Sequence, residues 1–269
     1  MKRKTNLSEI KVCVRGGGDV ASGVAWRLHQ CGFRVCITEI QNPMAVRRKV
    51  SFCEAVYDGH TLVEGVEALL IREVGDIYSI WEKNKLPVIV DPICESRLFI
   101  KPDVIVDGIL AKKNTGTSIN DAPMVIALGP GFVAGRDAHF VVETNRGHYL
   151  GRLLATGSAQ PDTGVPGPVH GITSDRVFRA PAEGRWQSML NIGDPVRKGD
   201  IIGNVSGIEV PAMIDGVLRG LIRPGIQVHK GLKIGDIDPR ANRDHCNSIS
   251  DKALAIGGGV LEGILKKDP

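Results

Sequence analysis

The sequence predicts an α/β chain, with a parallel sheet and its helices in the first half and a smaller all-β domain after it. Three observations predict it: short Val/Ile-rich runs alternate with helical segments, a glycine-rich turn joins the first run to the first helix, and a 32-residue internal repeat lies between positions 184 and 235.

The run IKVCVR (10–15) reads as a strand and ends at Gly16-Gly17-Gly18. VASGVAWRLHQCG follows as a helix whose apolar Val20, Val24 and Leu28 fall on one face, with Gly32 as its stop. RVCITEI (34–40) is the next strand. Further strands are expected at 53–57, 87–91, 103–107, 124–128 and 140–143, with a helix over about 74–84. Such runs suit a parallel sheet buried on both faces. This organisation divides the chain into a first domain at 1–150, a Gly/Pro-rich connection at 151–175, a β domain at 176–240, and a closing segment at 241–269. In the last, Ser250 caps a helix that returns to the first domain.

Within the β domain, Gly184, Gly193, Val196, Lys198, Gly199, Ile202 and Gly203 recur as Gly216, Gly225, Val228, Lys230, Gly231, Ile234 and Gly235. Neither copy can bury its apolar face alone, so the two are expected to interlock. The pattern resembles the barrel-sandwich hybrid of biotinyl and lipoyl domains, which carry a prosthetic group on a hairpin-tip lysine. No Lys lies between Gly199 and Arg223, so a carrier role is not expected.

The first turn is Rossmann-like. Gly16 permits a tight turn, Gly18 lets the backbone approach a pyrophosphate, and Ala21 allows close packing of helix on strand. The helix N-terminus offers N–H groups to phosphate. Glu39, at the end of the second strand, is placed to accept hydrogen bonds from a ribose. Asp19 lies inside the turn, where its charge opposes a phosphate. A turn that merely packs the sheet is the rival reading. Gly129 and Gly131 form a second glycine cluster after a strand, with Arg136 and His139 following.

Lys112, Lys113 and Asn114 follow the strand at 103–107, and Glu143, Arg146, His148 and Arg152 follow the strand at 140–143. Strands of one parallel sheet deliver such segments to one edge, so Lys112, Asn114, Arg136, His148 and Arg152 are expected to converge near Gly18. Lys112 and His148 are the candidate acid–base groups. Arg47, after Glu39, is a candidate to approach the bound anion; a solvated basic face is its rival. No metal site is expected, because His148 has no ligand-type spacing.

Composition narrows the partners. The net charge is +4 and aromatic residues make up 4% of the chain, which argues against a nucleic-acid platform. The basic N-terminus turns polar without an apolar run, and no long apolar stretch follows, so a cytoplasmic protein with no membrane partner is expected. The six cysteines lack CxxC spacing and read as free thiols.

The segments AVRRKVSFCEAVYDG, AKKNTGT, LGPGFVAGRDAHFVVETNRGHYLGR, KIGDIDPR and SDKALAIGGGVLE resemble the selenium-dependent molybdenum hydroxylase accessory (YqeB-type) family over about residues 10–265. VRGGGDVASGVAWRLHQCGFRVCITEI is also similar to the Rossmann part of XdhC-type molybdenum-cofactor chaperones. The resemblance implies a maturation factor that binds a nucleotide or a molybdenum cofactor, a phosphate-bearing small molecule in either case. An NAD-dependent oxidoreductase, or a scaffold that docks hydroxylase subunits, remains open at this point. So do a hydroxylase client and self-association.

Overall fold

The computed structural model describes residues 6–266. It contains two compact units. One comprises the chain up to Pro43, Ser51–Asp162 and the chain from Ile249 onward; the other comprises Met44–Val50 and Thr163–Ser248. The short piece Met44–Val50 is therefore part of the second unit, although it lies in the middle of the first unit's sequence.

The first unit is built on a mixed nine-stranded sheet. Its strands are β1 (Lys11–Arg15), β2 (Arg34–Glu39), β3 (His60–Val63), β4 (Val66–Ile71), β5 (Leu86–Val90), β6 (Val104–Asp107), β7 (Met124–Leu128), β8 (Phe140–Val142) and β9 (Leu153–Leu154). Their spatial order is β3-β4-β5-β2-β1-β6-β7-β8-β9. The run from β4 to β8 is parallel, and β3 and β9 pair antiparallel at its two edges. From β1 the chain moves out through β2 to β5, then restarts on the other side of β1 with β6. The order thus reverses between β1 and β6. There the strands run in register, with Cys13 beside Ile105 and Arg15 beside Asp107.

The expected strand at 53–57 is instead a 3-10 turn, Phe52–Glu54, leading into a short helix, Ala55–Asp58. A short apolar run does not by itself distinguish a strand from a buried helical turn. Two tertiary bonds decide it: Phe52 N–H donates to Ser22 Oγ at 2.7 Å and Cys53 N–H to the Gly17 carbonyl at 2.9 Å. The expected helix over 74–84 is shorter, a 3-10 turn at Val74–Asp76 followed by helix Ile77–Glu82. The hairpin of β3 and β4 was not expected from the sequence.

The first helix, Asp19–Gln30, buries Ala21, Val24, Ala25 and Leu28. The C-terminal helix, Asp251–Leu265, lies against it. Ser250 Oγ caps that helix by accepting the Ala253 N–H at 3.2 Å. The two helices approach closely because small residues meet: a Cβ on Gly23 would lie 2.6 Å from the Ala253 Cβ.

The second unit holds β10 (Val177–Arg179), β11 (Gly184–Gln187), β12 (Pro195–Val196), β13 (Ile201–Val205), β14 (Ile208–Pro211), β15 (Gly216–Leu221), β16 (Gln227–Val228) and β17 (Lys233–Asp238). They form two antiparallel four-stranded sheets, β10-β17-β15-β12 and β14-β13-β11-β16. The repeat explains this layout. Strands β11 to β13 come from the first copy and β15 to β17 from the second. Each copy pairs its own first and third strands, while its middle strand pairs with the first strand of the other copy. Trp186, Ile202, Leu218 and Ile234 fill the core between them.

Candidate functional site

The candidate site is the edge of the large sheet where β1 and β6 end. Gly16 adopts φ +88°, a conformation open to glycine, and its N–H donates to the Thr38 carbonyl at 2.8 Å. Gly17 N–H donates to Glu39 Oε2 at 2.7 Å, while Glu39 Oε1 accepts the Ile40 N–H at 2.7 Å. Burial pushes the Glu39 carboxyl above its usual range, and the two N–H donors oppose that shift. A Cβ on Gly17 would meet Cys53 N at 2.9 Å, so this position is closed. Gly18 differs: a Cβ there would meet nothing within 4 Å.

Gly18 is the N-cap of the first helix, and the first helical bond runs from Ser22 N–H to the Gly18 carbonyl at 2.8 Å. The N–H groups of Asp19, Val20 and Ala21 precede that bond and lie at the positive end of the helix dipole. Asp19 sits in the first turn, and its carboxylate is the charge that opposes an anion there. Ala21 has the small size its position requires, since a Cβ on Gly108 would come within 2.8 Å of the Ala21 Cβ. Gly16 faces Gly108 and Ile109 across the strand ends, at 3.2–3.3 Å from where its Cβ would be.

The end of β6 and the loop after it carry a buried polar group in which Asp107 meets Arg15 and Thr117, two residues that the sequence did not single out. Arg15 donates to Thr117 Oγ1, and Thr117 donates to Asp107 Oδ2. Arg15 Nη1 lies 3.6 Å from the same Asp107 oxygen. All three residues are buried. Asn114 shapes the turn that delivers Thr117: its Oδ1 accepts from Gly116 N–H and Thr117 N–H, both at 2.8 Å. Arg15 is one of two charged residues in β1, with Lys11, and stands just before the glycines.

Several residues chosen from the sequence meet at this edge. A Cβ on Gly131 would lie 2.6 Å from Lys113 Cα and 2.8 Å from the Lys112 carbonyl carbon, and one on Gly129 would lie 2.5 Å from Thr144 Oγ1. The loops after β6, β7 and β8 are thus in contact, and the Gly16 contact continues the row to β1. Lys113 is exposed beside them. Lys112 Nζ is held by Asp162 Oδ2 at 2.6 Å.

Others have different engagements. Arg136 forks onto Asp137 at 2.9–3.0 Å in the turn that enters β8. His139 sits at the amino ends of β7 and β8, where its Nδ1 accepts the Val125 N–H at 2.9 Å. His148 is exposed and edge-on to Tyr149, and the Arg152 guanidinium lies 4.9 Å from the centre of the same ring. Arg47 belongs to the second unit and is buried, donating at 2.8 Å to the carbonyls of His245 and Ser248.

Among the described residues no group of three or more His, Cys, Asp or Glu side chains could hold a metal ion, and no helix is long and apolar enough to cross a membrane. All six cysteines are free. Cys13 and Cys94 lie with their sulfurs 3.5 Å apart. Neighbouring thiols and burial raise the pKa of both well above the ordinary value.

No protein-family model matches the chain. It is 49% identical over 254 residues to the Escherichia coli (strain K12) protein named Uncharacterized protein YqeB, covering 94% of this chain and 47% of that one. The likeness supports the YqeB family name. The chain spans about half the length of this curated relative. Among solved structures, TcdA (CsdL) matches 48% of this chain and 52% of its own at 14% identity and a TM-score of 0.29. The ectoine utilization protein EutE (DoeB) of Ruegeria pomeroyi matches 85% of each chain at 12% identity and a TM-score of 0.26. Likenesses of that size assign neither fold nor function.

Proposed function

We propose that the first unit binds a phosphate-bearing nucleotide, or a molybdopterin-type anion, across the ends of β1 and β6. In this reading the chain is a cytoplasmic accessory protein in the maturation of selenium-dependent molybdenum hydroxylases. One observation carries the binding site: Gly18 is open at the N-terminus of a 12-residue helix, beside the point where the strand order reverses. Six of the seven parallel strands, β5-β2-β1-β6-β7-β8, run 3-2-1-4-5-6 when numbered among themselves in chain order, with β4 added parallel outside β5; in sheets of this doubly wound order ligands lie at such a reversal. That order supports a Rossmann-like, XdhC-like unit. The strand exchange in the second unit likewise supports a barrel-sandwich hybrid.

The accessory role rests on the YqeB likeness and the motifs quoted above. The NAD-dependent oxidoreductase is the weaker reading, because Lys112 is tied to Asp162 and His148 is edge-on to Tyr149, away from the glycine turn's own contacts.

The test is titration calorimetry of the parent and Gly18→Val with nucleotides and with molybdopterin-type ligands. Gly18 has φ −72° and open space around it, so the variant folds and only the ligand's approach is blocked. Equal affinity in the two proteins would falsify the site. Material carried through purification separates the roles: pterin absorbance with molybdenum favours maturation, nicotinamide favours the oxidoreductase, and neither favours a scaffold.

A further inference from the structure

We infer that Arg15 is an oxyanion anchor in this crevice, so the ligand carries a second anionic group on the β6 side, in addition to the phosphate at the helix N-terminus. This inference rests on the binding reading above and specifies the ligand it admits.

A guanidinium has five N–H donors, and a buried one ordinarily uses most of them. Arg15 is 4% exposed, yet its Nε has no hydrogen-bond partner among the described residues. One donor is spent on the Thr117 hydroxyl. The carboxylate of Asp107 stands 3.6 Å from Nη1, not in the two-bonded fork that an Arg–carboxylate pair adopts when each satisfies the other. Asp107 is better satisfied than Arg15, since its Oδ1 accepts the Ile109 N–H at 3.1 Å and its Oδ2 accepts the Thr117 hydroxyl. Donor capacity is therefore left over on the cation.

Arg15 is the last residue of β1, directly before Gly16. Its partners Asp107 and Thr117 come from the end of β6 and the loop that follows, and that loop's Gly108 and Ile109 press on Gly16. A buried cation with unused donors favours an oxyanion over a neutral group. The loop after β6, which also carries Lys112 and Lys113, is pinned to Arg15 through Thr117.

Inorganic pyrophosphate and NAD are the probes, titrated into the full chain at several salt concentrations. Removing Arg15 alone leaves Asp107 buried and unpaired, so the informative variant is Arg15→Met with Asp107→Leu, which removes the pair together. Retained folding is checked by circular dichroism. The expected result is at least tenfold weaker binding of NAD in the double variant, with a shallower dependence of affinity on salt. Arg15→Lys should recover part of the salt dependence and less of the affinity. Double-variant binding within twofold of the parent, with Gly18→Val impaired, makes Arg15 a structural residue and overturns this inference alone. Unimpaired Gly18→Val overturns the binding site itself, and a parent that binds neither probe at millimolar concentration overturns both.

Discussion

The Glu39 carboxylate accepts the Gly17 N–H at 2.7 Å, so the acid at the end of β2 is a structural part of the glycine turn at the end of β1. An acid at this position reads as a ribose acceptor; here one lone pair on each oxygen already holds backbone. Burial raises the Glu39 pKa from the ordinary 4.5, against the two backbone N–H donors that lower it, so folding makes the group easier to protonate than in the unfolded chain. The stability tied to that proton is complete below about pH 4 and is lost as pH rises through the raised value. Glu39→Gln removes the titration but also one acceptor. The expected outcome is a loss of about 1 kcal/mol at neutral pH and a flatter stability profile between pH 4 and 7, read by urea denaturation at each pH. An unchanged slope contradicts the assignment.

Asp238, in the second unit, behaves oppositely. Burial works to raise its pKa, but the two-bonded Arg240 fork at 2.6 and 2.9 Å and the nearby Arg219 bring it down to about 2. A depressed carboxylate contributes stability above its unfolded pKa of 3.8, lost as pH falls toward 2. The contribution at neutral pH is about 2 kcal/mol. The protection factors of the β15 and β17 amides, measured against the intrinsic exchange rate at each pH, should fall between pH 4 and 2. Asp238→Asn should show the lowered protection factors already at pH 7.

The C-terminal helix contains Gly257-Gly258-Gly259, and the three positions are not equivalent. A Cβ on Gly258 would meet nothing within 4 Å, whereas one on Gly259 would lie 2.2 Å from the Gly151 carbonyl oxygen. Gly258→Ala should stabilise the protein by about 0.5–1 kcal/mol through helix propensity. Gly259→Ala should destabilise it by on the order of 2 kcal/mol through the clash. Melting temperatures that move the same way in both variants would reject this packing.

Equivalent positions of the repeat each hold an aromatic ring over a glycine. Gly203 lies under Trp186, whose Cη2 would be 2.6 Å from an added Cβ, and Gly235 lies under Phe178, whose Cζ would be 2.0 Å away. Alanine at either site should cost on the order of 2 kcal/mol. Since the copies share both sheets, the two losses should appear in a single cooperative transition. Two separate transitions would show that the copies fold independently.

What was legible in the sequence follows the positions where backbone geometry dictates the residue. Gly16 at φ +88° and the repeated turn glycines Gly199 and Gly231, at φ +93° and +84°, leave marks that spacing alone discloses. What was hidden depended on register and long-range pairing. Arg15 and Asp107 are 92 positions apart and meet only because β1 and β6 align. The β3–β4 hairpin escaped because His60–Val63 is largely exposed and its turn is Glu64-Gly65, a weaker signal than Asn-Gly. Arg47 looked like a neighbour of Glu39 in sequence, yet Val46 and Arg48 bond Leu221 in the second unit at 2.8 and 2.7 Å.

The split of the first unit across the chain sets an order on its assembly. The helix Asp251–Leu265, which lies against helix Asp19–Gln30, is synthesised only after all of Thr163–Ser248. During translation the first helix therefore waits with its small-residue face uncovered while an entire β unit emerges and closes. A ribosome-bound chain stopped before Ile249 presents that face to chaperones, and emergence of the helix Asp251–Leu265 is the step that seals it.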